Sequence, residues 1–337
     1  MTIVVAGVRS CKTPRHDTPA DSMSRIDWLC QFLSMVGITG ELRARCTYGA
    51  PWRLACPQPS VGEIPYYIML EGRAILADPA MGTARELVAG DVLLSLHGPA
   101  RVLHDGGGNK PGRTRGRQAP AGWMLGENNG QGERMDLLHG RLFVESPHDR
   151  LIHNYLPPDL VVRGADGPGA LSASAHLAKL VELMRVESIG GSSGGHAIFN
   201  ALSSVLFTLA LRAAIESHQT PTGLLALAGS PRTAPSLSAM FTDPARTWNL
   251  PELAGLCGMS RATFIRHSQD KLGRSAFELL TDIRMGMAAN ELKKMGTATE
   301  AVADSVGYRS VAAFRRVFAD RIGMTPAQWR RMARESC

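Results

Sequence analysis

Arginines placed just after serines suited to capping a helix are the groups in this 337-residue chain with the clearest chemistry. Ser260 is followed by Arg261 and Arg266, and Ser310 by Arg315 and Arg316. A guanidinium on the first turns of a helix can pair bidentately with guanine O6 and N7, so these four arginines, with Thr263, are candidate base-reading groups. Arg309, Ser310 and Lys271 complete the candidate DNA contacts, with Arg309 and Lys271 expected on phosphates. For each arginine, a phosphate contact or an ion pair within the domain stays open.

Other reactive types lack a constellation. Cys46 lies ten residues before Cys56 and near Arg43, Arg45 and Arg53, and cationic neighbours lower a thiol pKa and favour oxidation. A buried structural thiol is the competing reading. His97, His104, His139, His148 and His153 sit at spacings that fit no metal motif. Gly190-Gly191-Ser192-Ser193-Gly194 matches the nucleophile elbow G-x-S-x-G, which needs a strand before it, whereas Leu177–Val186 reads as helix. Neither a catalytic residue, a metal nor a cofactor is expected.

Two segments position the arginines. Leu250–Ser260 continues into Arg261–Lys271, and Ala301–Tyr308 into Ser310–Phe318. In each, a glycine (Gly258, Gly307) supplies a turn, a serine caps the next helix, and a small residue (Ala254, Ala303) sits where crossing helices must approach. This is the helix-turn-helix pattern, twice, with the second helix of each placed for a DNA major groove. Phe264, Phe314 and Phe318 are expected in its core. Between the units Phe277–Lys294 reads as one helix of about 27 Å. Such a spacer can set two recognition helices in successive groove segments, roughly 34 Å apart, so a bipartite target is expected.

Charge agrees with that placement. Residues 230–337 hold 16 of the 37 Lys+Arg but 10 of the 30 Asp+Glu, so nearly all of the net +7 lies in the last third. A polyanion-binding module on a near-neutral body follows. The 44 % apolar and 20 % charged composition supports a packed core, and the length supports two domains. No uncharged apolar run of membrane-spanning length is read. The six cysteines are scattered without C-x-x-C, as in a reducing cytoplasm.

Residues 230–334 resemble the DNA-binding domain of the AraC/XylS family of bacterial transcription regulators. The resemblance rests on Val302-Ala303-Asp304-Ser305-Val306-Gly307-Tyr308-Arg309-Ser310, Phe314-Arg315-Arg316-Val317-Phe318, Gly323-Met324-Thr325-Pro326 and Trp329-Arg330. The first unit departs in having Ser268 where the second has Phe318, with Ile265 and His267 available to compensate. The resemblance implies double-stranded DNA and RNA polymerase as partners, an activator rather than a repressor, and a homodimer.

Upstream, residues 1–21 read as a tail and Met23–Val36 as a helix with Ile26, Leu29, Cys30 and Leu33 on one face. From Gly40 to about Val162 short apolar runs alternate with turns, including Tyr67–Leu76 interrupted at Glu71-Gly72-Arg73, and Gly90-Asp91 before Val92. An antiparallel barrel or sandwich is expected, with Asp105–Gln118 as a solvated loop or a second anion contact. The region 22–170 resembles the cupin-like sensor of one AraC/XylS branch, which implies a small-molecule effector or an oxidant. Cys46, Trp52, Tyr67, His97 and His104 are the candidate sensing residues. Helices within 171–229 are expected to form a dimer or interdomain layer, and 230–337 the DNA-binding domain after a linker near Ala228–Pro235. The whole is then α+β, a cupin-like barrel with flanking helices and an all-α tandem helix-turn-helix domain. A cupin-type or serine-dependent enzyme with an accessory helical domain is the alternative, and no His-x-His with a carboxylate supports it.

Overall fold

A computed structural model describes residues 27–335 except 121, 165–171, 191–192 and 218–221. The expected tail 1–21 lies outside these residues. Helix α1 (Trp28–Val36) leads into β1 (Ile38–Gly49), β2 (Arg53–Cys56), β3 (Glu63–Glu71), β4 (Arg73–Asp78), β5 (Thr83–Val88), β6 (Val92–Ser95), β7 (Arg101–His104), β8 (Thr114–Gln118), β9 (Met124–Asn128) and β10 (Arg134–Val144). Then come α2 (Asp149–Tyr155), β11 (Asp159–Val162), α3 (Ala173–Gly190), α4 (Gly195–Glu216) and α5 (Leu224–Ala228). The last third is helical: α6 (Ala234–Thr242), α7 (Leu250–Leu256), α8 (Arg261–Leu272), α9 (Ala276–Lys293), α10 (Thr299–Ser305), α11 (Val311–Ile322) and α12 (Pro326–Glu335).

The strands make two sheets, ordered β11-β6-β3-β10-β1-β9-β8 and β2-β7-β4-β5. They do not close into the expected barrel, and β1 pairs parallel with β9. The apolar run Tyr67–Leu76 divides between the sheets at Gly72. Its φ of 77° is a left-handed value, and a Cβ there would meet the Arg134 carbonyl oxygen at 2.2 Å. Gly90-Asp91 forms the expected turn, with the Asp91 carboxylate accepting the Val88 N–H. Part of the segment read as a loop at 105–118 is instead the fully exposed edge strand β8, which pairs with β9. Arg115 and Arg117 on it blunt the edge against further strand pairing.

Helix α1 starts later than expected because Asp27 caps it, accepting the Leu29 N–H. It buries Trp28, Leu29 and Phe32 and leaves Cys30 exposed, while Ile26 lies outside the described residues. By length and composition α4 could cross a membrane. In the fold its polar positions dock on the larger sheet: Ser204 donates to the Ile38 carbonyl at 2.7 Å, and Ser203 meets the Tyr66 hydroxyl at 3.2 Å. Nor is 228–235 a free linker, since α5 is buried almost throughout and Thr233 donates to the Leu227 carbonyl.

Two cores hold the helical third. Leu253, Ala254, Phe264 and Leu272 join the continuous core of the amino-terminal half. Phe314, Phe318, Val302, Ala303 and Trp329 form a separate cluster on α9. In the first unit Ser268, not Ile265 or His267, occupies the buried place that Phe318 has in the second. Its hydroxyl has no hydrogen-bond partner among the described residues. Phe318→Ala is therefore expected to cost about 3–5 kcal/mol in urea unfolding. Ser268→Ala, which removes an unsatisfied buried hydroxyl, is expected to be neutral or stabilising in the same assay.

Candidate nucleic-acid interface

The two helix-turn-helix units are built alike. Gly258 (φ 61°) and Gly307 (φ 82°) turn the chain, and the N–H groups of Met259 and Tyr308 return to the carbonyls of Ala254 and Ala303. Both alanines are buried, as the close approach requires. Ser260 then caps α8 by accepting the Thr263 N–H at 3.2 Å, and Ser310 caps α11 by accepting the Ala313 N–H at 3.3 Å. Each recognition helix ends at a left-handed glycine, Gly273 and Gly323.

The spacing between units is held from three sides. Helix α9 spans 18 residues, as long as the expected spacer. Its Arg284 donates to the Pro244 and Arg246 carbonyls at 2.6 and 2.9 Å and lies over the Tyr308 ring. Gly307 packs so tightly that a Cβ would meet the Ala245 carbonyl oxygen at 2.3 Å. The loop before the first unit is thereby pinned to the turn of the second.

The exposed face of α8 carries Arg261, Ile265 and Arg266, and that of α11 carries Arg315 and Arg316. Arg261, Arg266, Arg309 and Arg316 have no hydrogen-bond or ion-pair partner among the described residues. Arg315 reaches Glu300 at 3.3 Å, with both side chains more than half exposed, so little holds it there. Thr263 and Ser310 are engaged as capping groups, the Thr263 hydroxyl lying 2.9 Å from that of Ser260. Lys271 departs from its expected phosphate role, because its Nζ donates to the Ala226 carbonyl at 3.0 Å and so faces α5. Ile265, read from sequence as compensating packing, is 48 % exposed on the recognition face, where an apolar side chain suits a thymine methyl. Its position opposite Arg315 in the repeat was the available signal.

The sensing candidates scatter. Cys46, Trp52 and Tyr67 share one buried cluster with Cys56 and Met69. Burial pushes the Cys46 thiol up rather than down, and Arg45 does not activate it, because that guanidinium is bound to Asp136 at 3.0 and 2.5 Å. Cys56 is likewise pushed up to about 11 by burial. His104 accepts the Gly106 N–H at a turn, and His97 lies apart, 2.9 Å from the Leu156 carbonyl and beside His153. Among the described residues no group of three or more His, Cys, Asp or Glu could hold a metal. A helix, α3, runs into Gly190 where the nucleophile elbow needs a strand, and residues 191–192 lie outside the described part.

Short helix α2 joins the halves. Tyr155 donates to Asp282 at 2.5 Å, Arg274 donates to Asn154 at 3.1 Å, and Arg150 donates to the Arg321 carbonyl at 2.5 Å. Asn290 donates to the Met35 carbonyl, so its amide oxygen accepts from His148 Nε2 at 2.9 Å.

A family profile described as Cupin matches residues 27–216, and one described as Helix-turn-helix domain matches 253–332. The chain belongs to the AraC/XylS family of transcription regulators, with a cupin amino-terminal domain. Over 311 residues this regulator is 27 % identical to an uncharacterized HTH-type transcriptional regulator of Haemophilus influenzae, covering 91 % of this chain and 99 % of that one. It is 26 % identical over 309 residues to the HTH-type transcriptional regulator MtrA of Neisseria gonorrhoeae, covering 91 % and 98 %. The RCS-specific HTH-type transcriptional activator RclR of Escherichia coli is 29 % identical over 159 residues, covering 47 % and 56 %. The regulator is thus a DNA-binding transcription regulator.

Its amino-terminal domain carries a pH signature. Burial, with Arg141 and Arg43 nearby, lowers His139 from 6.5 to about 4 where it stacks on Tyr67. The unfolded chain takes up this proton first, so stability is full above about 6.5 and is lost as pH falls toward 4. The loss is about 3 kcal/mol, to be read from urea midpoints across that range, and His139→Phe is expected to flatten the profile.

Proposed function

We propose that the regulator is a cytoplasmic homodimeric activator that reads a bipartite site and answers a small molecule bound by its amino-terminal domain. One observation carries the DNA reading: two recognition faces bear Arg261 and Arg266 on one and Arg316 on the other without protein partners among the described residues, and are fixed at one spacing by α9, Arg284 and Gly307. Arg261, Ile265 and Arg266 read one half-element, and Arg315 and Arg316 the other, about ten base pairs away. Arg309 holds a phosphate. Promoter activation implies RNA polymerase as a further partner, and a relative named as an activator supports that direction. Small-molecule sensing is favoured over oxidant sensing because the thiols of Cys46 and Cys56 are buried with raised pKa values.

Selection of genomic fragments by the purified chain at two salt concentrations tests the reading. Enrichment of half-elements one turn apart, weakening steeply with salt, is expected. Arg316→Ala should cost about 1–3 kcal/mol and relax preference in one half-element, whereas Arg309→Ala should weaken all sequences alike. Random enrichment at both salts would sink the proposal.

Dimerisation is assigned to α3 and α4. Leu183, Val186 and Ile189 on α3, with Ile198 and Val205 on α4, are exposed at helical spacing on adjacent antiparallel helices. A second copy laid on this face completes a four-helix layer. Val186→Glu combined with Val205→Glu is expected to sediment as a monomer where the parent chain sediments as a dimer.

A further inference from the structure

A cavity of about 510 Å³ lies between the 58–64 loop and α2, outside the filled cluster of Trp52, Tyr67 and Met69. Val61, Ile64, Leu96, Val144 and Ile152 give it an apolar wall. Its charged groups are of both signs: Asp149 and Arg150 of α2 line it, and Glu63 is bound to Arg141 at 3.2 Å. An ion of either sign would share the cavity with a like charge as well as an opposite one. Two acceptors are unused. Asp149 Oδ1 is buried with no partner among the described residues. His97 Nε2 faces the Leu156 carbonyl, so it carries the proton and leaves Nδ1 with a bare lone pair. Arg150 keeps N–H groups beyond the one given to Arg321. A hydroxyl, which both donates and accepts, matches this mixture.

We propose that this cavity is the effector site and takes a neutral, hydroxyl-bearing small molecule with an apolar body. The proposal rests on the reading of the chain as a ligand-responsive regulator and names the site and ligand class. Occupancy reaches the DNA-binding domain through α2. Arg150 and Asn154 line this cavity and also a second cleft of about 200 Å³ against Asp320, Arg321 and Ile322. Arg150 holds the carboxyl end of α11, and Asn154 holds Arg274 just beyond α8. A ligand that draws Arg150 or shifts α2 changes the hold on both recognition helices at once.

Calorimetry of the full-length chain with octan-1-ol, octanoate and octylamine tests this without DNA. Octan-1-ol is expected to bind at least about tenfold more tightly than either charged probe. Ser60→Trp at the exposed mouth, and separately Asp149→Ala, should weaken octan-1-ol by about tenfold with unchanged circular dichroism and melting. Arg274→Ala, outside the cavity, should keep octan-1-ol affinity while reducing the effect of octan-1-ol on DNA affinity, because only the Arg150 link then remains. Tighter binding of a charged probe overturns the ligand class. Octan-1-ol binding indifferent to both cavity variants overturns the site, as does no binding of any probe. A chain that binds octan-1-ol at this site but selects no DNA would fail as a regulator while the site stands.

Discussion

The polar groups of α9 have to be satisfied by two neighbours at once. Asp282 accepts from Tyr155 of α2 and meets Arg321 of α11 at 3.2 Å. Arg284 is spent on carbonyls of the loop before α7, and Asn290 bonds both Met35 and His148. Half-buried charges and amides are costly to leave unpaired, so α9 fits only where amino-terminal domain, loop and second unit meet. The distance between recognition helices and their link to the amino-terminal domain therefore share one set of contacts. An effector can alter DNA binding only through differential contact with states of that set.

In the amino-terminal domain, the packed core and the open cavity occupy different places. The smaller sheet and its facing strands are packed with Cys46, Tyr48, Trp52, Tyr67 and Met69. Arg101 ties the sheets together by meeting Asp78 at 3.1 Å and Asp159 at 2.9 Å. Residues that looked suited to sensing by type, an arginine-flanked thiol and large aromatics, are thus buried together in one packed cluster. Of the buried groups without a hydrogen-bond partner among the described residues, Asp149 Oδ1 and His148 Nδ1 lie at α2, while the Tyr67 hydroxyl lies within this cluster.

Much of the helical third was legible because its signals are local. Cap serines, turn glycines and small contact residues act within a few positions, and a spacer of 18 residues formed one residue ahead of its expected bounds. Lys271 and Ile265 were misjudged for the opposite reason. Lys271 answers to Ala226, 45 residues away, and Ile265 is left 48 % exposed by packing that its own helix does not encode. Strands were harder still. Their number and turns could be anticipated, but neither the parallel β1–β9 pairing nor the failure to close follows from alternation, which is the same for any partner strand.

By itself, the sequence determined the tandem helix-turn-helix units, their basic face and the sheet-rich body before them, since local propensity, period and charge are written along the chain. Only the tertiary structure decided which thiols are silenced, which cations are tied up and where a cavity meets α2. Those outcomes depend on burial and on partners distant in sequence, and a group's pKa or free valence is a property of its surroundings.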